Sequence, residues 1–108
     1  MGSVKIPSFL LRSTLDVQLY AGTSASGPVH GPRRRLRVLV DEVRRTGQTQ
    51  SAKRVEDATV LYAQVSPLSL AITPQALAWL DGRKLEVVQV RRHHARVGTP
   101  DHVEITVR

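Results

Sequence analysis

The chain has no cysteine among its 108 residues, which excludes disulfides and thiolate metal sites. No apolar run approaches the roughly 18 residues that a membrane-crossing helix requires. The opening residues 1–7 lack the apolar stretch of a secretory signal, so an intracellular location is expected. Aromatic residues are scarce: Phe9, Tyr20, Tyr62 and Trp79 are all there are. Acidic residues are also in the minority, 9 against 16 lysines and arginines, giving a formal net charge of +7. Of those 16 basic residues, 13 are arginine. Such a surplus suits a polyanion such as nucleic acid, and it equally suits a solvated arginine-rich surface.

Helical periodicity sustained beyond two turns is absent as well. What is present is alternation. In residues 14–20, Leu15, Val17 and Leu19 fall on one face, the pattern of a half-buried strand. Residues 21–32 hold three glycines and two prolines in twelve positions and read as a loop. Alternation resumes over 34–41, with Leu36, Val38 and Val40 inward and Arg35, Arg37 and Leu39 outward. Residues 58–65 are apolar on both faces, which fits a central strand or one covered by a neighbouring subunit. Pro67 and Pro74 bracket a short segment expected to pair weakly or pack as a loop.

The last third is the clearest. Asp81-Gly82 separates the β-rich runs 75–80 and 84–92, and a two-residue turn of this kind needs positive φ at its centre. The turn signal selects strand for 75–80 over a short helix begun by Pro74. A loop at 98–101 leads into a final alternating strand, 102–108. The expectation is an all-β fold: a small β-barrel of five to six mostly antiparallel strands, with residues 1–13 as an arm and 14–108 as one domain. Residues 42–57 are polar and basic and are expected to form a long extended loop.

No catalytic motif is visible. Ser24 and Ser26 lie in a glycine-rich stretch that matches neither the nucleophile elbow nor a phosphate-binding loop. His93 and His94 are adjacent, so on a strand they point to opposite faces and cannot share an ion. With no carboxylate at a completing distance in sequence, the histidines (His30 and His102 included) read as solvated loop residues. No enzyme, no metal and no cofactor is expected. The arginine groups at 33–35, 44–45, 53–54 and 91–92 are able to line a basic surface. Two of the four aromatics lie in runs that read as buried, which argues against base stacking but not against phosphate contact.

Taken together, the strand 15–20 entering a Gly/Pro stretch, the strand 36–42, the polar segment with its return strand 57–62, and the Asp81-Gly82 close with strands 83–90 and 102–107 resemble the head-to-tail stopper, or head-closure, proteins of long-tailed bacteriophages, in particular those of actinobacterial phages. The resemblance covers most of the chain from residue 14 and departs at 67–75, which is more apolar. It implies a virion structural protein, built in the host bacterial cytoplasm, that forms a cyclic homo-oligomer beneath the portal–adaptor complex. Such a ring closes the DNA channel and offers a docking surface for the tail terminator or tail tube. By the same likeness, segment 42–57 would reach into the channel, with Arg44, Arg45, Lys53 and Arg54 facing packaged double-stranded DNA without reading sequence. A small basic nucleic-acid-binding barrel is the alternative, and a tail-terminator ring the second.

Overall fold

The computed structural model of the chain describes residues 6–43, 58–94 and 101–108. Six strands form one closed antiparallel barrel: β1 (Ser13–Ser24), β2 (Gly27–Val43), β3 (Ala58–Ala63), β4 (Leu77–Leu80), β5 (Arg83–His93) and β6 (His102–Val107). Their order around the barrel is β1-β2-β3-β6-β5-β4, with β4 returning to β1. This is the expected all-β barrel. Because every neighbour is antiparallel, the β2–β3 and β4–β5 links leave one end, and the β1–β2, β3–β4 and β5–β6 links leave the other.

The interior follows from alternation. Leu15, Val17, Val38, Leu61, Ala63, Ala78, Val87, Val103, Ile105 and Val107 are all buried, and the residues between them face outward. Eight-stranded barrels are just filled by side chains, so a six-stranded one leaves room mainly for Val and Ala beside a few larger residues. Leu36, Val40, Val65, Leu80, Leu85 and Val90 pack around this centre from its margins.

The Asp81-Gly82 turn forms as expected, with φ of 50° and 91°. Both central residues are left-handed, the conformation that matches the twist of paired strands. Aspartate has a second use here. Its backbone N–H donates to the Thr14 carbonyl at 2.8 Å, and its Oδ1 accepts from the Thr14 N–H at 2.9 Å. The turn is thereby tied to the start of β1.

Three segments differ from expectation. Residues 21–32 are not a loop: β1 and β2 continue as a paired hairpin to Ser24 and Gly27, leaving only Ala25 and Ser26 in the turn. Gly22 and Gly27 take φ of 115° and 116°, values an L side chain resists. The register shifts twice between Gln18 and Thr23, which bends the ribbon. Pro28 and Pro32 are tolerated because this part of β2 has no strand on its other side among the described residues.

The second difference is Pro67–Ala71, a helix (α1) rather than a weak strand or loop. Ser66 caps it, its Oγ accepting from the Ser69 N–H at 3.0 Å while its own N–H donates to Ser69 Oγ at 2.9 Å. The Ser69 hydroxyl, fully buried, donates onward to the Gln64 carbonyl at 2.8 Å. Leu68 and Ile72 then pack onto the core, so the apolar character of this stretch is explained by burial beneath a link.

The third is the arm. Ser8–Leu10 is a 3₁₀ turn. Ile6 and Leu11 are buried, at 5% and 4% exposure. The Ile6 carbonyl accepts from Gln64 Nε2 at 2.8 Å, and that of Leu11 from Arg37 Nε at 3.0 Å. The arm therefore belongs to the barrel wall. β3 is central, paired on both sides, and its outward Tyr62 faces a groove walled by Ile6, Pro7 and Leu10. Barrel closure and this arm remove the need for a neighbouring subunit on β3.

Leu61 fills the barrel centre whereas Trp79 is outward and half-buried. Leu61→Ala is expected to cost about 2–5 kcal/mol, and Trp79→Ala only about 1 kcal/mol, the scale of an exposed cation–π contact. Urea unfolding of both variants checks the contrast.

Candidate functional site

The outer face of β2-β1-β4-β5 carries a transverse row of residues in direct register: Arg35, Asp16, Trp79 and Lys84. The next row is Arg33, Gln18, Leu77 and Glu86. Opposed residues share a face, and because Leu15, Val17 and Ala78 point inward, these rows point out. Arg33 reaches across to place its Cζ 3.8 Å from the centre of the Trp79 ring, with Lys84 Nζ at 6.0 Å. Arg35 Nε pairs with Asp16 Oδ1 at 3.0 Å while its side chain stays 71% exposed. Glu86 is engaged by Arg108 at 3.3 Å. Among the described residues, Arg33, Arg34 and Lys84 have no carboxylate partner. The result is a basic sheet face with one tryptophan in it.

A second cluster lies on the outer face of β2-β3-β6-β5. The His93 and His102 rings stack at 4.8 Å with 17° between their planes. His93 Nε2 donates to Glu104 Oε1 at 2.6 Å. His102 meets Tyr62 edge-on at 5.2 Å, and the Tyr62 hydroxyl donates to Asp41 Oδ2 at 3.3 Å. With Leu39, Ile6, Pro7 and Leu10 they line a groove of 430 Å³. Burial, followed by the charges of Asp41 and Glu104, holds the Tyr62 phenol above its ordinary value of 10.0. Tyr62 with Asp41 and His93 with Glu104 are hydrogen-bonded pairs, and His102 joins them through its ring contacts, which makes the cluster a cross-strand brace. No group of three or more His, Asp or Glu able to hold a metal ion occurs among the described residues.

These placements correct the histidine reading. His93 and His102 are opposed strand residues, and the carboxylate that contacts His93 is Glu104, eleven positions along the chain. His30 is on β2, its Nε2 donating to the Gln75 carbonyl at 2.9 Å. The aromatics are corrected too. None lies in the core: Phe9 is 70% exposed and Tyr20, Tyr62 and Trp79 are half-buried.

The sequence-predicted channel residues Arg44, Arg45, Lys53 and Arg54 lie outside the described residues. What is described is their attachment, since Val43 and Ala58 are register partners in the β2–β3 pair. Strand β2 runs to Val43, so residues 42 and 43 are strand rather than loop. The remaining arginines do not form one surface. Arg33 and Arg35 join Lys84, whereas Arg91 and Arg92 lie on the far stretch of β5 opposite Glu104 and Val103. Arg92 is bound there to Asp101 at 3.5 Å. Sequence reasoning missed the Arg33–Trp79 contact. The signal for it was Trp79 sitting one position from inward Ala78 and two before the Asp81-Gly82 turn, which sets it outward.

No protein-family model, curated protein or solved structure matches the chain.

The raised Tyr62 phenol has a pH signature. A group whose folded-state value exceeds its unfolded value favours the folded state fully below the unfolded value and loses that contribution as pH rises through the folded one. Stability of the wild type is therefore expected to fall above pH 10.0 more steeply than that of Tyr62→Phe. Chemical denaturation between neutral pH and pH 11 measures the difference.

Proposed function

We propose that this chain is a virion structural protein, a head-to-tail stopper subunit that assembles as a cyclic homo-oligomer below a portal–adaptor complex, retains packaged double-stranded DNA and presents a surface to the tail. The observation that carries this reading is the anchoring of segment 44–57. The strands on either side of it pair at one end of the fold, Val43 with Ala58, and the segment holds four basic residues against two acidic ones. In a ring, each subunit contributes one such segment at an equivalent radius. The basic side chains then form a collar, and a collar of positive charge attracts phosphates of any sequence.

The barrel suits this role physically. A closed barrel has no strand edge to pair at random, so it is a rigid block on which a segment of 14 residues can be held in place. Beyond the closed part of the barrel the β1–β2 hairpin keeps free edges, the first half of β2 on one side and the end of β1 on the other. Ring contacts between copies would use such an edge or the arm beside it.

A second reading is a nucleic-acid-binding barrel that acts outside a particle. The basic face around Arg33 and Trp79 favours it. The two readings part on location. Imaging of purified particles should show this chain as a ring at the neck, and absence from the particle would contradict the stopper reading. Replacing Arg44, Arg45, Lys53 and Arg54 together by glutamine should leave the fold intact and increase DNA release from tailless heads. Unchanged release would remove the segment from that role.

A further inference from the structure

We infer that the outer face of β2-β1-β4-β5, centred on the Arg33–Trp79 stack, is a binding surface for the phosphodiester backbone of nucleic acid, separate from segment 44–57. It does not depend on the stopper reading and holds for the chain in any assembly that leaves this face open.

Four observations carry it. Arg33, Arg35 and Arg37 occupy alternate positions of β2, so all three project from the same side. Lys84 extends the positive charge to the far side of the face, in the row of Arg35 and Trp79. The charge is also available: Arg33 makes a ring contact but no ion pair, and Arg35 keeps most of its surface while holding Asp16.

The third observation is how Arg33 is held. Its Cζ sits 3.8 Å from the centre of the indole ring, a cation–π contact that uses no N–H donor, and the guanidinium N–H groups are the ones that bind phosphate oxygens in pairs. The stack fixes the side chain before any partner arrives, so less conformational entropy is lost on binding. An acidic peptide would be attracted by the same charge, but it would gain nothing from a planar indole–guanidinium platform. Nucleic acid would gain from both, since the edge of the platform meets phosphate and its plane can meet a base.

The fourth is the position of the acids. Asp16 is neutralised by Arg35 within the face. Glu86, at its margin, is engaged by Arg108. No other acidic side chain stands in the two rows. With both acids held by arginines, Arg33 and Lys84 leave the face with a surplus of positive charge, the footprint expected for backbone binding without base readout.

The test uses the full chain and two fluorescein-labelled probes of mixed sequence, a 30-base-pair duplex and a 30-nucleotide single strand, followed by anisotropy across a salt series. Trp79 is the only tryptophan, so its intrinsic emission reports on this face alone. Wild-type protein is expected to bind at physiological salt in the ~10⁻⁶–10⁻⁴ M range typical of non-specific complexes and more tightly at low salt, with Trp79 emission changing along the same curve. The variant R33Q/R35Q/K84Q should weaken binding at least tenfold and lower the slope of log K against log salt by roughly 2–3, one contact per lost cation. All three positions are exposed, and circular dichroism with a thermal melt establishes that the variant is folded. The variant R44Q/R45Q/K53Q/R54Q should keep the Trp79 response. Tighter binding of the single strand supports the proposal and adds base stacking on Trp79, whereas tighter duplex binding supports it as phosphate contact alone. Binding that leaves Trp79 emission unchanged and survives R33Q/R35Q/K84Q would overturn it. So would polyglutamate competing as well as duplex at equal charge, which would make the partner an acidic protein segment.

Discussion

The barrel exists because β1 pairs on both sides at once. Its residues 15–18 meet β2 on one edge and β4 on the other, and the β4 contact is only four residue pairs long, from Leu15–Leu80 to Gln18–Leu77. That seam joins residues 59 to 65 positions apart, so its few hydrogen bonds work against a loop-closure cost that the rest of the fold must offset. Three things help. Leu15, Val17 and Ala78 are buried directly behind the seam. The Asp81-Gly82 turn delivers β5 beside β4 without strain. Asp81 then bonds Thr14 through both backbone and side chain, clamping the seam at its end.

Closure decides where everything else goes. The interior of a six-stranded barrel is narrow and is filled by aliphatic side chains alone, apart from Ser69 beneath the α1 link. Every charged group and aromatic ring among the described residues is therefore on the outside or at an end. Two outer clusters result, of different character. On one side, Asp41, Tyr62, His102, His93 and Glu104 contact one another in turn and brace four strands. On the other, Arg33 and Lys84 are left with an indole and no acid. A cluster whose groups contact one another stabilises, while a cluster with spare charge is available for a partner. Closure also leaves the first half of β2 with one free edge. Pro28, Pro32 and the run of arginines at 33–35 blunt that edge against indiscriminate pairing.

Much of the fold was legible in the sequence because period-2 alternation and Asp-Gly turns are local signals. The inward set Leu15, Val17, Leu36 and Val38 and the positive φ values at 81 and 82 follow directly from residue type and spacing. The hairpin at 21–32 was not legible, since its glycines and prolines are usual in loops and are allowed in a strand only where one edge is unpaired. The α1 cap depends on Ser66 and Ser69 exchanging hydrogen bonds, and serines three apart occur in many loops. Burial of Ile6 and Leu11 depends on contacts with Gln64 and Arg37, far along the chain, that no local pattern reveals. The outer clusters were hidden for a related reason: Arg33 with Trp79, and His93 with Glu104, are long-range pairs created by register. The sequence supplied the charges; only the fold sorts them into paired and spare.

The central claim is that the short β1–β4 seam closes the barrel and makes it one rigid unit, with the β1–β2 hairpin extending past it. Native-state hydrogen exchange resolved by residue tests this most directly. The hydrogen-bonded amides of β4 should exchange only through global unfolding, at the same free energy as those of β3 and β6, while amides at the hairpin tip near residues 23–28 should exchange through smaller openings. If β4 exchanges as readily as the hairpin tip while β3 and β6 stay protected, the barrel is open at this seam and the account is wrong.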